Sequence, residues 1–359
     1  MINSHYVPQF ILRNFYFNDK ITYCDLEKKT IEQRNSRSIF CEEGYYPEGI
    51  EKDLCKKVEY LFANLYHNKF ENARNTISLS RNELFVLKKY LVVSSIRYKF
   101  DLCDEEKKII DELGSAFKVD YDKCLNDILA CENIDDAFNM LMKFDEYLKK
   151  ILSGKFLGEE DVNLYLWAEL KDILCSYVII AKSRDEQFII PDVGRGVYQG
   201  PLGIIKATSI LESFIKTPNW QLAQLMHLIG PRDYSFYPLS KNIVIISMSA
   251  FYKVMTDSEF RINVIMPEDY PTVSSLLGFG DRNMITPPKV KKKGRDIEYI
   301  YDIKTLSCRD VCHFNGLMIG ESNRYVAFSE LDKIQKSVEM ADEYTNRDIS
   351  FLRYTKNNY

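Results

Sequence analysis

Proton transfer and anion binding at neutral pH call for an imidazole, a guanidinium and a carboxylate held close together. His5, Gln9 and Arg13 follow one another at intervals of four near the start of the chain. Pro8 suits the first turn of a helix, which places Gln9 and Arg13 on one face. His5 precedes that helix and can fold back over its N-terminal end, where free N–H groups favour an anion. Such an arrangement can hold a phosphate, with His5 as general acid or base and Arg13 as the clamp. Asp192 supplies a carboxylate to orient the base or to ligate Mg²⁺. The structural alternative is equally definite: His5 and Gln9 satisfy buried backbone groups, and Arg13 pairs with Asp192 as a bridge.

Other constellations fall short of their chemistry. Cys308 and Cys312 share a helix face beside His313, but no second pair lies at zinc-finger spacing, so the two read as small buried hydrophobes. Gly194 and Gly196, with Gly200 and Gly203 after them, resemble a phosphate-cradling loop, yet no Walker lysine and serine follow. Lys289, Lys291, Lys292, Lys293 and Arg295 can anchor phosphates, although a Pro-containing charged stretch is by default a solvated loop. The chain has 24 Tyr and 21 Phe. Tyr6, Phe15-Tyr16-Phe17 and Tyr45-Tyr46 can stack bases, but aromatic positions mixed with Leu and Ile usually mean core. Zincin, α/β-hydrolase, EF-hand and thioredoxin-like motifs lack their required residues.

The elements that must position these groups follow from periodicity. A short helix after Pro8 leads through an Asn18-Asp19 turn to a hairpin, residues 20–25 and 29–34. Ile50, Leu54, Val58, Leu61, Phe62 and Leu65 recur at helical spacing. Ser80 with Glu83 is a capping box that starts a helix near Arg81 and runs it to about Phe100, with Arg97 in its last turns. Between Asp101 and Ser183 the pattern is mainly helical. Short buried strands are expected at 187–192 and 242–247 as neighbours in one sheet, and another at Tyr325–Phe328. The expected architecture is α+β: one domain over residues 1–335, its small mixed or antiparallel sheet built from the hairpin and the strands near 188, 243 and 325. A helical section over residues 50–183 covers that sheet, and residues 336–359 form a C-terminal helical tail.

Forty-eight Lys plus Arg against 52 Asp plus Glu leave a net charge of −4, so no global field attracts nucleic acid or an anionic membrane. Nine cysteines, an odd number without a secretory pattern, predict reduced thiols and no structural disulfide. No stretch of roughly 18 apolar residues is present to span a membrane. A soluble cytoplasmic protein is expected.

His5-Tyr6-Val7-Pro8-Gln9-Phe10, followed by Leu12-Arg13-Asn14-Phe15, resembles the opening signature of the bacterial and fungal family known as domain of unknown function 4238. Arg97, the Phe188–Asp192 segment, Tyr237–Ser240, Asn315 and Arg324–Ser329 continue the resemblance in order, over about residues 3 to 335. It departs where relatives carry a Gln shortly before the arginine matching Arg97, and where their Thr-Ser-Asp-Asn-Pro turn is here Ile190–Gly194. The resemblance implies an α+β protein without a settled reaction, with Arg97, Asn315 and Arg324 as candidate substrate-binding residues. Some relatives lie in anti-phage defence neighbourhoods. The resemblance therefore implies either a defence nuclease or hydrolase acting on nucleic acid or a nucleotide, with a Mg²⁺ requirement open, or a non-catalytic sensor or scaffold binding a phage or host protein.

Overall fold

The computed structural model describes residues 3–98, 120–152, 170, 173–174, 176–198, 234–248, 288–291, 297–341 and 345–353. Strand β1 (Asn3–His5) leads into the five-residue helix α1 (Gln9–Arg13) and the hairpin β2 (Ile21–Asp25) and β3 (Thr30–Arg34). Before it, Asn18 and Asp19 both adopt positive φ, 51° and 61°, and close a tight turn bridged by Phe17 and Lys20. Strand β4 (Cys41–Glu43) pairs with β1 and sets His5 opposite Cys41. Next come α2 (Glu48–Leu54) and α3 (Tyr60–Leu65), joined by a π turn at Cys55–Glu59 and followed by another at Tyr66–Phe70. After β5 (Thr76–Ser80), helix α4 (Arg81–Ile96) begins in the expected reciprocal capping box of Ser80 and Glu83. Helices α5 (Tyr121–Ala130) and α6 (Ile134–Leu152) follow.

Most of the remaining elements are strands: β6 (Tyr177–Lys182), β7 (Ile190–Pro191), β8 (Gly196–Tyr198), β9 (Tyr234–Ser240), β10 (Ile243–Met248), β11 (Lys289–Lys291) and β12 (Glu298–Thr305). Helix α7 (Cys308–Glu321), strand β13 (Tyr325–Phe328) and helix α8 (Gln335–Met340) complete the described elements longer than one turn.

The fold is α+β, but its strands do not share one sheet as expected. The hairpin joins β13 and β7 in a four-stranded sheet ordered β3-β2-β13-β7. Strand β10 lies in a seven-stranded sheet, ordered β11-β12-β6-β10-β9-β8 with β5 also paired to β12. The expected pairing of the 188 and 243 strands reduces to one hydrogen bond, Phe188 N–H to the Lys241 carbonyl at 2.8 Å. Alternation and apolarity say that a segment is extended, whereas its partner is chosen by contacts far away in sequence.

Two strands also interrupt the expected helical section. Tyr177–Lys182 carries a continuous apolar run, for which periodicity alone does not separate a buried strand from a buried helix, and Thr76–Ser80 is a strand of alternating burial that ends at the capping-box serine. Within the expected basic loop, Lys289–Lys291 is an exposed sheet-edge strand, where lysines discourage pairing with another chain. In the tail, α-helix covers Gln335–Met340, and beyond it a 3₁₀ turn at Ser350–Leu352 packs with Ile349 and Leu352 buried. Among the described residues, no helix is long and apolar enough to cross a membrane.

Candidate functional site

The β1–β4 pairing holds the backbone of His5, and Pro8 starts α1 three residues later. The resulting geometry is a ladder. Gln9 Nε2 lies 3.5 Å from His5 Nδ1, and Arg13 Nη2 donates to Gln9 Oε1 at 3.3 Å. Because that carbonyl accepts from Arg13, the amide is oriented with its NH₂ toward His5, which makes Nδ1 the acceptor and puts the neutral imidazole's proton on Nε2. The ladder runs from a buried histidine, 7% exposed, to an exposed guanidinium. The structure thus brings together three of the four residues expected to act together.

Beneath β1 lies a buried charge cluster that sequence reasoning did not assemble. Arg97 caps the C-terminal end of α4, is 1% exposed and pairs with Glu59, while Glu51 Oε1 stands 3.7 Å from its Nη2. Eight residues separate the two glutamates, which in an α-helix would leave them about 80° apart. The π turn at Cys55–Glu59 absorbs one residue and brings them to within about 20° of one face. Glu51 also accepts from the Ser4 hydroxyl and the His5 backbone N–H, so the cluster is tied directly to the ladder. Burial pushes the Glu51 carboxyl upward, and Arg97 opposes that shift. Burial works against the Arg97 charge, and Glu59, Tyr46 and Glu51 outweigh it. The Tyr46 hydroxyl donates to the Arg97 carbonyl, and its N–H reaches Ser4 Oγ at 3.4 Å. Arg97 is therefore enclosed rather than presented to a substrate.

The other expected residues, Asp192 and Arg324 beside strands β7 and β13 of the four-stranded sheet and Asn315 on helix α7, bind the fold to itself. Asp192, 2% exposed, accepts from the backbone N–H groups of Asn323, Arg324 and Tyr325 at 2.8, 2.8 and 2.9 Å. Burial raises its carboxyl, while these groups and the N–H of Val193 pull it down. A Mg²⁺ ion approaching this carboxylate would meet four N–H donors already aimed at it. Neither a hydrogen bond nor an ion pair joins Asp192 to Arg13 or His5 among the described residues; its charge instead reaches the phenol of Tyr6. Arg324 forms a fork on Asp25, with Nη2–Oδ2 at 2.7 Å, and lies over the Tyr325 ring. Asn315, fully buried, accepts from Ile189 N–H at 3.0 Å and donates to the Gln187 carbonyl and Ser337 Oγ at 2.8 Å each. These three side chains hold β7, β13, α7 and α8 in place.

A family model described as Protein of unknown function (DUF4238) matches residues 3–332. The chain belongs to the DUF4238 family. No curated protein and no solved structure matches it. In this DUF4238 member the residues that carry the resemblance sort into a ladder that runs from buried His5 through Gln9 to exposed Arg13, and a set of internal ties, Arg97, Asp192, Asn315 and Arg324. The glycine run resolves likewise. Gly194 sits at φ +73° in the turn after β7, and a Cβ on Gly196 would overlap the Phe236 ring and lie 2.9 Å from Met318 Cγ. Gly200 and Gly203 lie outside the described residues. Of the tyrosines singled out above, Tyr46 is buried in the core, and Tyr6, Tyr16 and Tyr45 pack half-buried against it.

No sequence signal pointed to Glu51, Glu59 or Asp25. The first two depend on a π turn, and the third on a sheet pairing 299 residues apart.

Proposed function

We propose that this DUF4238 protein is an effector of bacterial anti-phage defence that hydrolyses a phosphodiester in nucleic acid or a nucleotide. The observation that carries the reading is the ladder: one glutamine side chain contacts both an imidazole and an exposed guanidinium. Arg13 is placed to clamp a phosphate oxygen, and His5, whose Nε2 is buried beneath the surface in this structure, is the candidate general acid or base. Gln9, rather than Asp192, orients the imidazole. The defence setting rests on the resemblance to relatives in such neighbourhoods.

The test is incubation of purified protein with RNA, DNA and nucleotides, with and without Mg²⁺, beside His5→Ala. Wild type is expected to hydrolyse one of these classes, and the variant to lose about 10²–10⁴-fold in rate while staying folded. Arg13→Ala should chiefly raise KM.

A second reading, a non-catalytic sensor or scaffold for a phage or host protein, is favoured by the enclosure of Arg97, Asp192 and Asn315 within the fold. It predicts no turnover of any substrate, with phage protection in cells unchanged by His5→Ala.

A further inference from the structure

At the N-terminal end of α7, a cavity of about 380 Å³ is lined by Arg184, Asp185, Glu186, Thr305, Ser307 and Cys308. Arg184, Asp185, Thr305 and Ser307 are exposed at its rim, Cys308 is half-buried, and Glu186 is only 6% exposed. Behind Cys308, one helical turn on, lies Cys312, 1% exposed. One ligand atom from each of Glu186, Cys308 and Cys312 falls within 4.8 Å of the other two.

Two independent features distinguish this cluster from packed small hydrophobes. First, the thiols stand 3.9 Å apart, Sγ to Sγ. Two thiolates on a tetrahedral ion with bonds of about 2.3 Å lie about 3.8 Å from each other. Second, Glu186 is a buried carboxylate without an ion pair among the described residues. Ser337 donates both its N–H and its hydroxyl to Oε1, at 2.9 and 2.7 Å, and among the described residues Oε2 accepts no hydrogen bond and is left to the cavity side. Lys336 acts on it only at a distance, and Glu339 opposes that effect. A buried carboxylate in this position needs a proton or a cation.

We propose that Glu186, Cys308 and Cys312 bind a soft divalent metal ion of the Zn²⁺ class, with a fourth coordination position facing the cavity. Closing the carboxylate onto the ion takes a side-chain rotation of about 1 Å, since oxygen and sulfur ligands of such an ion lie about 3.5 Å apart. Both thiols bind as thiolates, so their protons leave to solvent as the ion binds, and affinity rises with pH. The site is separate from the His5 ladder and does not depend on the proposed hydrolysis.

Reduced full-length protein titrated with Co²⁺ alone tests it. Wild type should bind one tight equivalent with tetrahedral visible bands and a thiolate charge-transfer band, both removed by Zn²⁺. Cys308→Ser and Cys312→Ser should each weaken binding by more than about 100-fold. Glu186→Gln, whose amide oxygen keeps both Ser337 bonds, should weaken it by about 10–100-fold. Cys55→Ser, an exposed thiol elsewhere, should leave it unchanged. Absence of the thiolate band in wild type, or Co²⁺ affinity as tight as wild type in folded Cys308→Ser and Glu186→Gln, overturns the proposal. Those two variants decide the matter even where Cys312→Ser fails to fold.

Discussion

Asp192→Asn separates architecture from mechanism, because the two readings of this carboxylate predict opposite outcomes. An amide keeps one acceptor oxygen and turns an NH₂ toward backbone donors. With its oxygen in place of Oδ2, the N–H groups of Arg324 and Tyr325 stay bonded, but to a neutral partner, and Asn323 N–H loses its acceptor. An orphaned donor in this partly buried position costs about 1–3 kcal/mol, and each bond that changes from charged to neutral loses about 1 kcal/mol more. The sum is about 3–5 kcal/mol. For cooperative unfolding of a chain this long, the unfolding entropy is about 0.75 kcal/mol per kelvin, so Tm should fall by about 4–7 °C. His5→Ala removes a buried imidazole with its 3.5 Å contact to Gln9 and should lower Tm by about 1–3 °C. Thermal melts of both variants, run beside the hydrolysis assay, make the comparison. An Asp192→Asn protein that melts within a degree of wild type yet has lost all activity would refute the structural assignment and return the carboxylate to the chemistry.

Arg97→Met leaves Glu51 and Glu59 without their counter-charge and should cost about 3–5 kcal/mol in denaturant titrations, part of which Glu59→Gln should restore in the same background. His313, buried against the Tyr234 hydroxyl at 3.0 Å, is pushed by burial from 6.5 down to about 4. Its neutral form is therefore favoured by folding: the contribution is fully present above pH 6.5 and is lost as pH falls towards 4, by up to about 3 kcal/mol. Stability measured across that range should slope less in His313→Gln, and an identical slope would count against it. Gly196→Ala forces a methyl group against Phe236 and Met318 and should destabilise by about 1–3 kcal/mol, visible as a lower urea midpoint.

Local chemistry made several parts of this protein legible from its residues alone. The Ser80–Glu83 capping box, the turn at Asn18-Asp19, the short helix after Pro8 and the four-residue spacing of His5, Gln9 and Arg13 involve neighbours in sequence, so short-range rules determine them. The α+β class and the family membership were legible for the same reason: elements and motifs are written in consecutive residues. Partners were not. Apolar strands such as Tyr177–Lys182 and Ile243–Met248 fit many neighbours equally well, and the separation into two sheets depends on which contacts bury the most surface together. Asp192 illustrates the limit for function. Its identity and its place in a turn suit a catalytic carboxylate, and only the return of the chain at Asn323–Tyr325 turns its oxygens to backbone N–H groups. Arg97 acquired its two glutamates because a π turn shifted the phase of a helix, and Glu186 met Cys308 and Cys312 across more than a hundred residues. A charged side chain carries the same potential chemistry wherever it stands, but burial and the groups that surround it decide whether that chemistry is spent on the fold or offered to a substrate.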